Sequence, residues 1–192
     1  SKLGLTTSRV QVPLSHVAID GEEIPIPLQG KVTEGKGWVL RNSKGQYTLT
    51  LDGLKAGSLE RKTPALEIQG DLTLVLKKGT ESELLSADAA LKKGAGTLTI
   101  RGEGSLRLQG ETALEGEWKE ETLNQDEPSA LRIEGGKLVF TGEETALYED
   151  TVELAGGEIQ IQCLNGKGTG IRAHTLDDRH FSGSLEMEES EE

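Results

Sequence analysis

Between Ala130 and Ala173 one pattern occurs twice: an apolar pair at alternate positions, two glycines, then a second apolar pair. The first copy is Leu131-Arg132-Ile133, Gly135-Gly136, Leu138-Val139-Phe140. The second is Val152-Glu153-Leu154, Gly156-Gly157, Ile159-Gln160-Ile161. Leu131 and Val152 are 21 residues apart, and so are Leu138 and Ile159. Alternation with a period of two marks a strand with one buried face. Its return after about 20–25 residues marks a solenoid, in which each repeat buries its apolar face only by stacking on the next. The expected architecture is all-β, a right-handed parallel β-helix of about five to six coils. Antiparallel pairing across Gly135-Gly136 is its main competitor.

Composition agrees with a narrow aliphatic core. Hydrophobic residues make up 34% of the chain and aromatics only 3%. The 25 glycines supply the bends that separate short strands. Twelve more acidic than basic residues give a net charge of −12. Such a surface repels phosphate backbones and anionic headgroups, so neither nucleic acid nor membrane insertion is expected. No apolar run has the length of a membrane-spanning helix. The chain opens on Ser1, as a mature form without its leader would. Its single cysteine, Cys163, continues the inward alternation of Ile159 and Ile161 and is expected to be buried and inert.

Residues 1–45 do not share the repeat. Val10-x-Val12-x-Leu14, Val17-x-Ile19 and Ile24-x-Ile26-x-Leu28 read as short strands, with Pro13, Pro25 and Pro27 suited to edges or bends. Asp20-Gly21 is a hairpin turn signal. This region is expected to cap the solenoid with help from Trp38-Val39-Leu40, a separate small β-domain being the alternative. Coils are expected over 46–176, with an insertion at 115–128. A C-terminal end is expected over 177–192, closing in a solvated acidic tail from Leu185. Ser82 to Leu91 reads as a short helix or a pair of irregular strands. If the coils stack in register, outward residues form columns. One is expected to hold Glu67, Thr99, Arg132 and Glu153, the other Thr73, Arg107, Val139 and Gln160.

Chemistry is sparse. Trp118 lies in the insertion, flanked by Glu117 and Glu120. An indole face offers a sugar ring an apolar platform, and carboxylates beside it accept hydroxyl hydrogen bonds. Tyr148 stands at an outward phase and can join that platform. The competing role for Trp118 is to pin the insertion onto the coil. The acidic clusters Glu143-Glu144, Glu149-Asp150 and Asp177-Asp178 raise calcium, but none has a calcium-loop spacing, so no metal site or cofactor is expected. His174 and His180 bracket Asp177-Asp178, a nonspecific hint of an N/O metal set. No nucleotide-binding loop, zinc motif or nucleophile elbow occurs, and no carboxylate pair stands out as catalytic.

The two repeats, followed by Gly168-Thr169-Gly170-Ile171-Arg172-Ala173, resemble the carbohydrate-binding β-helix domains of secreted bacterial proteins. The resemblance covers at most residues 66–173. In that family an Asp-rich turn often accompanies each coil and is associated with calcium. Here the corresponding turns read Gly142-Glu143-Glu144-Thr145-Ala146 and Gly166-Lys167-Gly168-Thr169-Gly170 instead. The resemblance implies a secreted or cell-surface module with affinity for acidic or neutral polysaccharide, and no catalysis. A structural or adhesin-like surface solenoid is the second expectation, and a polysaccharide-degrading enzyme the third.

Overall fold

The computed structural model describes residues 10–118 and 128–189, and among them there is no helix. The chain is a β-solenoid of about five turns. Its cap comprises β1 (His16–Ile19), β2 (Glu22–Glu23), β3 (Val32–Gly35) and β4 (Trp38–Ser43). The first coil holds β5 (Gln46–Leu51), β6 (Lys55–Ser58) and β7 (Leu66–Gln69). The second holds β8 (Leu72–Leu76), β9 (Glu81–Ser86) and β10 (Ala89–Lys93). In the third and fourth coils two faces are spanned by one long strand. These coils are β11 (Gly96–Gly102) with β12 (Ser105–Glu115), and β13 (Ser129–Ile133) with β14 (Lys137–Tyr148). The fifth is β15 (Thr151–Leu154), β16 (Glu158–Cys163) and β17 (Thr169–Arg172), and β18 (Thr175–Asp177) and β19 (Ser184–Glu189) begin another.

Pairing between coils is parallel and in register. Leu98 stacks on Leu131, and Leu131 on Val152. Leu108, Phe140 and Ile161 form a second column, and Leu66, Leu91, Leu114, Leu147 and Ile171 a third. The inward residues that the alternation selects, Leu66, Ile68, Leu98, Ile100, Leu131, Ile133, Leu138, Phe140, Val152, Leu154, Ile159 and Ile161, are all buried. Each fully buried aliphatic side chain contributes about 1.5–3 kcal/mol relative to exposure, so these columns drive the stacking. The Gly135-Gly136 step is a bend between two faces, not a hairpin, because β13 pairs in parallel with β11 and β15.

The cap closes the first coil by antiparallel pairing. β1 lies on β7, with Val17 opposite Ile68, and β3, β4 and β5 form a meander that buries Trp38 and Leu40. Asp20-Gly21 and Lys44-Gly45 both have positive φ at both residues, the requirement of a two-residue type I′ hairpin. Ser82 to Leu91 forms the strands β9 and β10 rather than a helix. At the far end β19 pairs with β16 across the stretch expected to be a solvated tail, because Leu185 continues the column of Ile159.

Two outward columns differ by one member each. Thr99, Arg132 and Glu153 do stack, and Arg132 reaches the Glu153 carboxylate at 3.0 Å. Thr73, not Glu67, precedes them. Arg107, Val139 and Gln160 also stack, but Glu83 precedes them. Glu67 belongs to another face, beside Lys92. The cause is a slip of one face in the early coils. The bend Ile68-x-Gly70-x-Leu72 and the bend Ile133-x-Gly135-x-x-Leu138 share a signature while turning different corners.

Candidate functional site

One face of the solenoid carries an outward column that runs Glu67, Lys92, Glu115, Tyr148, Arg172. Its inward neighbours are the leucines that end in Ile171, so backbone pleating alone aims these five outward. At the end of this face the chain leaves β12, and Trp118 folds back beside Tyr148 with ring centroids 5.1 Å apart. His174 packs on the indole at 3.6 Å between centroids, and its Nδ1 lies 2.5 Å from Asp150 Oδ1. The Arg172 guanidinium stands 5.6 Å from the Trp118 ring and 5.8 Å from the Tyr148 ring, within cation–π range of both. Trp118 and Tyr148 are both half-buried.

The structure therefore brings together Trp118 and Tyr148, and adds Arg172, His174 and Asp150. Glu117 is exposed, and its N–H donates to Ser129 Oγ at 3.4 Å. Glu120 lies outside the described residues. His174 is engaged by Asp150, and Asp177 by the Arg179 guanidinium at 2.9 Å, so the suspected His/Asp metal set is not assembled. Among the described residues no three His, Cys, Asp or Glu side chains converge as metal ligands. Cys163 is buried and free.

Beneath the aromatic edge lies an ion pair that sequence reasoning missed. Lys93 Nζ is 2.7 Å from Glu149 Oε2, with both side chains at 1% exposure or less. The ammonium directs its three N–H donors to Gly94 O, Gly96 O and Ser129 Oγ, at 2.9–3.0 Å. Among the described residues Glu149 Oε2 faces the ammonium and no other donor. Ser129 Oγ donates to Glu149 Oε1 at 2.7 Å, and the Asp150 N–H donates to the same oxygen at 2.8 Å. Burial pushes the Glu149 carboxyl above its ordinary range and the Lys93 ammonium below its own, each opposed by the partner's charge. Both charges stand at the inward phase of their strands, in Leu91-Lys92-Lys93 and Leu147-Tyr148-Glu149. Opposite charges at matching inward phases were the available signal.

Gly116 lies between them. Lys92, Glu115 and Tyr148 are stacked partners, so the next residues, Lys93, Gly116 and Glu149, fall one above another in successive coils. A Cβ at 116 would collide with both oxygens of the Glu149 carboxylate. The absent side chain is what lets the pair meet across an intervening coil.

Beside this edge, toward the cap, a recess of about 240 Å³ is bounded by His16, Gln69, Lys92, Glu115 and Glu117. A larger depression, about 590 Å³, lies on another face, around Glu83, Arg107, Val139 and Gln160. No aromatic ring lines it, and its Arg107 is already paired with Glu83. The aromatic edge is the better candidate for recognition despite its smaller volume.

The Arg179 hydrogen bonds hold the Asp177 carboxyl at about 2, against an ordinary 3.8. A depressed carboxyl stabilises the fold above its unfolded value and loses that contribution as pH falls toward the folded one. A carbon-detected titration of Asp177 should show a midpoint near 2, and Arg179→Ala should return it toward 3.8. An unshifted midpoint in the variant would mean that Arg179 is not the cause.

Fold and edge together define a β-solenoid module that presents aromatic rings, a guanidinium and an imidazole at the margin of one face. The chain belongs to the family described as carbohydrate-binding domain-containing protein, whose model matches residues 15–190. No curated protein and no solved structure matches it.

Proposed function

We propose that the edge formed by Trp118, Tyr148, Arg172 and His174 binds polysaccharide, in a non-catalytic module of a secreted or cell-surface protein. The observation that carries this reading is the half-exposed Trp118–Tyr148 pair with a guanidinium over both rings. Sugar rings present C–H faces that stack on an indole, while their hydroxyls need directional polar partners. Arg172 brings five N–H donors, and Glu117 beside Trp118 brings acceptors. Family membership supports the ligand class. The Asp-rich turns associated with calcium are replaced here, so binding is proposed to be independent of metal. A glycan array with neutral and acidic polysaccharides is the test, repeated in the presence of a chelator. Retention of one glycan class under chelation supports the reading, and an empty array sinks it. Release of reducing ends or of ultraviolet-absorbing unsaturated products would replace it with an enzyme.

A further inference from the structure

We infer that Glu149, held by Lys93, is the positioning residue of this edge: one buried carboxylate sets where Trp118, Tyr148 and His174 stand. Its consequence for binding rests on the carbohydrate reading above, but its geometry does not.

Three connections leave this carboxylate. The first runs to the outgoing end of the excursion between β12 and β13. There the carboxylate fills the space above Gly116, two residues before Trp118, and a Cβ at 116 would displace it. The second runs to the returning end. Ser129, the first residue of β13, donates to Oε1 at 2.7 Å while accepting the Glu117 N–H at 3.4 Å. Both ends of the excursion are thereby fastened to one group. The third is through the backbone, since Glu149 separates Tyr148 from Asp150. Its Oε1 accepts the Asp150 N–H at 2.8 Å, and the Asp150 side chain holds His174 Nδ1.

A buried ion pair is a poor way to gain stability, because well-packed apolar residues of similar volume commonly do as well or better. Ordering a half-exposed indole on a loop costs conformational entropy, and a site already ordered before it meets ligand loses less on binding. Fixing the edge is therefore what the charged pair offers and an apolar pair would not.

The test uses the full chain with Lys93→Met and Glu149→Met combined, followed by melting and by NMR of the Trp118 indole and His174 ring. Positioning predicts a melting temperature close to that of the parent. Both ring signals should shift toward unstacked values. Affinity should fall at least tenfold for whichever of two probes binds the parent, a neutral xylo-oligosaccharide or an acidic alginate oligosaccharide. A double variant that melts like the parent with both ring signals unmoved would show that the pair only fills the core. Should the double variant not fold, Ser129→Ala decides. It cuts the link to Glu117, so the Trp118 signal must move, and an unmoved signal overturns the inference. If the parent binds neither probe, the glycan array alone decides the carbohydrate reading, and the ring signals still decide the positioning role.

Discussion

Lys93→Met alone is expected to destabilise the protein strongly at neutral pH and much less in mild acid. Removing one member of a buried pair leaves an uncompensated charge, at a cost of about 3–5 kcal/mol. In a domain of this size that corresponds to a fall of roughly 10 °C in melting temperature. The pH dependence follows from Glu149. Burial raises its carboxyl, and the two largest opposing influences both come from Lys93, so the substitution raises it further. The folded variant then holds a proton that the unfolded chain releases near the ordinary value of 4.5. Stability linked to a raised carboxyl is present below the unfolded value and lost as pH rises through the folded one. The difference in melting temperature between variant and parent should therefore widen from about pH 4.5 to pH 8. An equal difference at both ends would mean that Glu149 is not the group left exposed to the loss.

Trp118→Ala should separate stability from binding. The indole is half-buried, touching Tyr148, His174 and Arg172. Aromatic and cation–π contacts at partly exposed positions are worth about 0.5–1.5 kcal/mol, well short of the roughly 3–5 kcal/mol for truncating a core aromatic. The melting temperature should fall by a few degrees at most. A recognition Trp, by contrast, commonly carries 2 kcal/mol or more of binding, about thirtyfold in affinity. Titration calorimetry with the best glycan from the array, beside a thermal melt, reads both quantities. A large loss of stability would make Trp118 a pin for the loop. Intact binding would remove it from the site.

The periodic signals carried the architecture. Leu131 over Val152 and Phe140 over Ile161 were legible because alternation fixes which residues point inward and the repeat fixes what lies above them. The faces of Glu67 and Thr73 were not, because an apolar-Gly-apolar bend looks alike at different corners of the coil. Trp118 and Tyr148 could be named from sequence as members of one platform, one by its place in an insertion and the other by outward phase. His174 and Arg172 could not be joined to them, since nothing local says that the end of one coil meets the loop inserted two coils earlier. Lys93 and Glu149 were hidden by a sound prior, that charged residues stay in water, which fails where two of them share a cavity left by Gly116.

A stack of coils ordinarily behaves as a one-dimensional chain of units, each coupled only to the units on either side. Such a chain can fray from an end, one unit at a time. Lys93 belongs to the second coil and Glu149 to the fourth, so their contact skips a unit. Opening the fourth coil while the second stays closed strands a charge in the interior, so the two tend to open together with the coil between them. The second to fourth coils should then exchange their amide hydrogens as one cooperative block, while the strands from β15 onward exchange earlier and independently. Graded exchange across all five coils would show that the contact transmits nothing along the stack.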